Sequence, residues 1–156
     1  MSAITGFRGD GMKAELTIPG ELPSMNEIIE AAKRHRMAYS NMKDEYTELV
    51  RLNCLRCHRF DNPVSVSVTW YTKDERKDPD NVIAGQKFLF DGLVKAHVIP
   101  NDTRRFVREI RHRFKTDRKN PRVEVVIEDY EGGPCYERFK CPACGGGGKG
   151  EFVEDA

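Results

Sequence analysis

The chain has 156 residues, 38% hydrophobic and 33% charged, with a formal net charge of +1. That size suits one domain able to bury a core. No apolar run approaches the roughly 20 residues of a membrane span, and the N-terminal MSAITGFRGDG lacks the apolar h-region of a signal peptide. A membrane or secreted protein is therefore not expected, and a cytoplasmic protein, bacterial or phage-encoded, is.

In chain order, residues 1–13 are Gly-rich and polar and read as a flexible N-terminus. AELTIPG, from Ala14, reads as a short strand closed by Pro19-Gly20. Ser24 with Glu27 three residues later has the spacing of a capping box. Ile28, Ala32, His35, Tyr39, Met42, Tyr46 and Leu49 then recur in steps of three and four, which predicts one long helix over about 25–53. His35 on that stripe is expected to pack at its edge rather than to bind a ligand. NPVSVSVTWYT alternates, so Val64, Val66, Val68 and Trp70 share the buried face of a strand. A second helix is expected over about 79–97, followed by the strands RFVREIRHRF and PRVEVVIED joined by the turn KTDRKN. The order β-α-β-α-β-β predicts an α/β (α+β) fold, a small mixed sheet with helices packed on it, over residues 14–130.

The charge is unevenly spread. Residues 104–122 hold nine Lys/Arg against Glu109 and Asp117, a basic stripe of the kind that binds nucleic acid. Arg104, Arg105, Arg108, Arg111 and Arg113 are the candidate DNA-backbone contacts. Four of the five cysteines form two C-x-x-C pairs, Cys54/Cys57 and Cys141/Cys144. In a cytoplasmic chain such pairs indicate a metal site, here a structural Zn2+ held by four cysteines. The Gly/Cys-rich tail 131–156 would then fold back on the end of the long helix, with His58 and Cys135 as substitute ligands.

Within KDPDN, residues 77–81, Pro79 suits the first helical position. Asp78 then occupies the N-cap and Asp80 the first turn, both favoured by the helix dipole. Capping alone accounts for these two acids. However, Asp80, Lys87 and Asp91 fall on one stripe at 100° per residue, and Asp102 lies in a turn just before the basic strand. Asp78, Asp80 and Asp102 would together suit Mg2+, a hard cation that takes a few carboxylates and keeps positions for water and phosphate.

The run DPDN…KFLFDGLVKAHVIPND, with the earlier IPGELPSMN, resembles the signature of the RusA family of Holliday-junction resolvases over about residues 14–129. The resemblance implies a homodimeric, Mg2+-dependent endonuclease that nicks four-way DNA junctions symmetrically. By motif, Asp78 and Asp80 match the family's paired acids, Asp102 the third acid and Lys87 the essential lysine. Asp91 matches an acid in the family's helix, Asn81 completes the motif and braces the loop, and Asn26 matches the early asparagine. The interval from Asp80 to Lys87 is longer, by about one helical turn, than the family spacing it is compared with. The family does not generally carry the cysteine pairs, so zinc is expected to stabilise rather than to cut. The alternatives are a zinc-stabilised branched-DNA-binding protein without catalysis and a related phage nuclease for branched DNA.

Overall fold

A computed structural model describes residues 4–8 and 11–130. The elements are β1 (Ile4–Arg8), β2 (Gly11–Pro19), α1 (Met25–Arg34), α2 (Arg36–Leu52), β3 (Val64–Thr72), α3 (Pro79–Ile83), α4 (Gln86–Lys95), β4 (Val107–Thr116) and β5 (Arg122–Asp129). The strands form one mixed sheet in the order β1-β2-β5-β3-β4. β3 and β4 are parallel, joined through α3 and α4 as a βαβ crossover, and the other neighbours are antiparallel.

Alternation along the strands sorts the residues into two faces. Leu16, Val125 and Val68 stand in register, as do Ile18, Val123 and Trp70. These side chains are buried in one core with Val50 of α2 and Leu89 and Leu93 of α4. The helices thus cover one face, as the alternating pattern predicts. The opposite face carries Thr17, Ser67, Thr69 and Glu124, all half-buried.

Four details depart from the sequence pattern. Residues 1–13 supply β1 and the start of β2, paired from Ile4↔Glu15 to Arg8↔Gly11. Gly9-Asp10-Gly11 has the composition of a hairpin turn, but Ile4–Arg8 is too weakly alternating to declare a strand. The predicted helix over 25–53 is two helices. His35 is extended (φ −169°, ψ 141°), and its Nδ1 accepts from the Met37 N–H, capping α2. His35 is exposed, a cap rather than a packing residue. The helix over 79–97 is likewise divided at Ala84-Gly85. Thirdly, β4 and β5 are joined by a short turn yet are not neighbours, because β3 lies between them. Finally, β4 begins at Val107 rather than at the arginines before it.

The predicted capping box is present: the Glu27 N–H donates to Ser24 Oγ and the Ser24 N–H to the Glu27 carboxylate. The tail 131–156, with Cys135, Cys141 and Cys144, lies outside the described residues.

Candidate active site

α3 opens where the sequence places it, with Pro79 at the first position and Asp78 as N-cap residue. Asp78 has the extended backbone of a cap (φ −71°, ψ 157°), but its carboxylate makes no capping hydrogen bond. Local helix chemistry therefore leaves this acid uncommitted. Asp78 and Asp80 are both exposed.

Neighbouring side chains fix this segment. Lys77 Nζ lies 3.1 Å from Glu21 and 3.3 Å from Glu27. Burial alone would lower the Lys77 ammonium, but pairing with the two glutamates outweighs it and holds the pKa raised. Asn81 Oδ1 accepts from the Asn26 N–H at 3.0 Å, tying α3 to the start of α1. The two motif asparagines thus meet, and Asn81 braces the loop.

At Ala84-Gly85 the backbone stays helical but the hydrogen bonds tighten to three-residue steps, Gly85 to Val82 and Phe88 to Gly85. The cause is close packing: a Cβ on Gly85 would lie 2.8 Å from Leu22 Cβ and 3.2 Å from the Trp70 ring. The change of pitch separates Asp80 from the stripe predicted for it. Lys87 and Asp91 remain one turn apart on α4, with Lys87 Nζ 3.8 Å from Asp91 Oδ2.

Lys87 and Asp91 line a groove of about 270 Å³ with Gln86, Phe90, Asp102, Val107 and Ile110. Two acceptors on its wall, Gln86 Oε1 and Asp91 Oδ2, are buried without a hydrogen-bond partner among the described residues. Leaving such acceptors dry and unpaired is costly, so the groove suits a donor or a hydrated cation. Asp102 is exposed, and its N–H donates to Asn101 Oδ1.

Asp78 and Asp80 do not line this groove. β3 and β4 run parallel, so the segment after β3, with Asp78 and Asp80, and the segment before β4, with Asp102, fall at opposite ends of this strand pair. α3 and α4 return between them and carry Lys87 and Asp91 towards Asp102. Accordingly, no group of three or more His, Cys, Asp or Glu placed to hold a metal occurs among the described residues. The predicted convergence of Asp78, Asp80 and Asp102 is not formed within the described chain. Sequence spacing missed Gln86, and its signal was weak: it lies one position before Lys87, with nothing in the spacing to mark it.

The five arginines do not form one stripe. Arg104 and Arg105 are exposed, two and three positions after Asp102. Arg108 lies over the Tyr130 ring at 5.8 Å. Arg111 and Arg113 stand in register with Ser67 and Thr69 on the face away from the helices, and Arg111 is paired with Glu109 at 3.1 Å. The face towards the helices carries Ile110 and Phe114, 41% and 43% exposed, on an edge strand with no second neighbour in the described sheet.

A family profile described as endodeoxyribonuclease RusA matches residues 19–128, which takes in both asparagines, the acids and the groove. The chain belongs to the RusA endodeoxyribonuclease family. No curated protein matches the chain. As a RusA-family nuclease it belongs to a class that generally uses a divalent metal such as Mg2+ and acts on branched DNA. Among the described residues no helix is long and apolar enough to cross a membrane.

Proposed function

We propose that the chain is a Mg2+-dependent, structure-specific endonuclease that resolves Holliday junctions by paired phosphodiester hydrolysis, in bacterial or phage DNA recombination and repair. The observation that carries this reading is the groove that brings Lys87, Asp91 and Asp102 together in a member of a nuclease family.

The donor chemistry fits Mg2+: carboxylate oxygens are hard ligands, the Asp78 carboxylate is free of its cap, and unpartnered acceptors face the groove. Asp78, Asp80 and Asp102 would hold the ion. When bound, it supplies a water acidic enough to attack and charge to offset that growing on the phosphate. Lys87 is placed to neutralise a phosphate oxygen entering the groove, and Asp91 restrains it from one turn away. Arg104 and Arg105, next to Asp102, suit the flanking backbone, where contacts position DNA without reading its sequence. Arg111 and Arg113 would meet a different stretch of DNA, since they occupy the other face of the sheet. Two scissions per junction require two sites, which a homodimer with a two-fold axis supplies.

A synthetic four-way junction tests the reading. The wild type should make paired, symmetric nicks with Mg2+, and Asp80→Asn and Asp102→Asn should bind the junction without cutting it. Binding without cutting by the wild type, in Mg2+ and in Mn2+, would favour a branched-DNA-binding protein that does not catalyse. Cutting of flaps but not of four-way junctions would favour a related phage nuclease.

A further inference from the structure

The end of α2 holds a group of side chains that the nuclease site does not use. Successive tight turns follow the helix, with the Cys54 N–H donating to Arg51 O and the Cys57 N–H to Cys54 O, each at 3.0 Å. They set the two cysteines three residues apart with their thiols hydrogen-bonded to one another, an interaction that pushes the Cys54 thiol up, burial adding to it, and the Cys57 thiol down. Neither forms a disulfide among the described residues. The next residue, His58, packs its ring 4.4 Å from that of Phe60. Both of its ring nitrogens are buried without a hydrogen-bond partner among the described residues. A neutral imidazole carries one donor and one acceptor, and burying both unpaired is costly, so this corner lacks a polar neighbour.

The chain supplies one at the right place. The Tyr130 N–H donates to Pro63 O at 2.9 Å, so the segment beyond Tyr130 leaves the sheet at the loop that carries Cys54, Cys57 and His58. Pro63 is six positions after Cys57, which bounds the span to cross at about 26 Å, counting the strand-to-strand step. Cys141 is eleven positions after Tyr130, a reach of about 36 Å. Chain length alone therefore permits the second pair to meet the first. CPACG, residues 141–145, repeats the C-x-x-C spacing of Cys54 and Cys57 and continues into glycines, whose backbone N–H groups can approach sulfur closely. Among the described residues no three ligands gather, as expected when half of a four-sulfur set lies beyond Tyr130.

We infer that Cys54 and Cys57 are half of a tetrahedral Zn2+ site completed by Cys141 and Cys144, with His58 donating to a metal-bound sulfur from outside the ligand set. The ion clasps the C-terminal segment to the end of α2. Four thiolates and a closed coordination shell make it structural, and a hydrogen bond from a neighbouring ring is the usual support for such a ligand.

The full chain, purified in reductant and supplied with Zn2+, should carry one Zn2+ per chain by elemental analysis, and Co2+ in its place should give the charge-transfer absorption of tetrahedral thiolate. Cys141→Ser and Cys144→Ser, which leave the buried core untouched, should each lose the ion, and Cys135→Ser should keep it. Zn2+ should also slow alkylation of Cys57 in the wild type, mapped by mass, a readout that needs no variant to fold. Absence of bound Zn2+ would overturn the inference, as would its retention in the Cys141→Ser/Cys144→Ser double variant or equal alkylation of Cys57 with and without Zn2+. None of these readouts involves DNA cutting, so they stand or fall apart from the nuclease reading.

Discussion

Single side chains carry a pH response distinct from catalysis. Trp70 Nε1 donates to His112 Nδ1 at 3.0 Å, and the two rings stack with centroids 6.0 Å apart. That bond requires a nitrogen without a proton, and burial pushes the His112 pKa below its ordinary value. As pH falls, the unfolded chain therefore takes up this proton first. The contribution of His112 to stability is complete above about pH 6.5 and declines as pH drops from there towards the lower folded value. Trp70 is the single tryptophan, so its emission should report the titration directly, with a midpoint below 6.5. His112→Gln should remove that transition and flatten the fall in urea midpoint between pH 7.5 and pH 5.5. An unchanged emission titration in His112→Gln would place the response elsewhere. Asp78 teaches a second lesson at this scale: it occupies a cap position without acting as a cap, so position alone does not account for it.

At the scale of elements, close contact decides where helices end and how they pack. α4 lies against α2 through Gly92: a Cβ there would lie 2.5 Å from Val50 Cβ and 3.0 Å from Thr47 O. Gly92→Ala should lower stability by about 1–3 kcal/mol, the usual range for overpacking, although alanine is the better helix former. Urea denaturation of wild type and variant measures it, and an unchanged or raised midpoint would mean that the two helices can separate freely. The same reasoning marks what could be read in advance. Strand alternation revealed β3 and β5 and their buried residues because burial follows a period of two along a chain. The capping box, Pro79 and the pairing of Lys87 with Asp91 were legible because each is a contact within four residues. The breaks at His35 and Gly85 were not. His35 sits on the apolar period, and the pressure on Gly85 comes from Leu22 and Trp70, far away in sequence. For the same reason the spacing of Asp80 to Lys87 suggested one stripe where the fold makes two helices. Gathering Asp102 with Lys87 was legible as a fold-back, but the distance from Asp78 depended on β3 and β4 being parallel, which no local pattern states.

For the whole molecule, the separation of Asp78 and Asp80 from Asp102 bears on how many chains make one site. If the proposed Mg2+ site uses all three acids, their placement at opposite ends of the β3–β4 pair implies that two chains contribute to it. Asp80→Asn and Asp102→Asn should then each be inactive alone, whereas re-annealed mixtures should nick a junction, because half of the mixed dimers' sites carry no substitution. Mixtures as inactive as either parent, with mixed dimers verified by mass, would place all three acids of a site on one chain. The strand order has a separate consequence for synthesis. β3 stands between β4 and β5, and β2 reaches the rest of the sheet through β5, the last strand made. A ribosome thus releases the acids, the lysine and every helix before the strand that joins β2 to β3 exists. Sheet assembly must wait for residue 129, the long-range pairing that slows folding, and until then the valines of β3 lack one flank. The nascent protein is exposed in its most apolar strand for nearly all of its translation, a window in which a chaperone would find it.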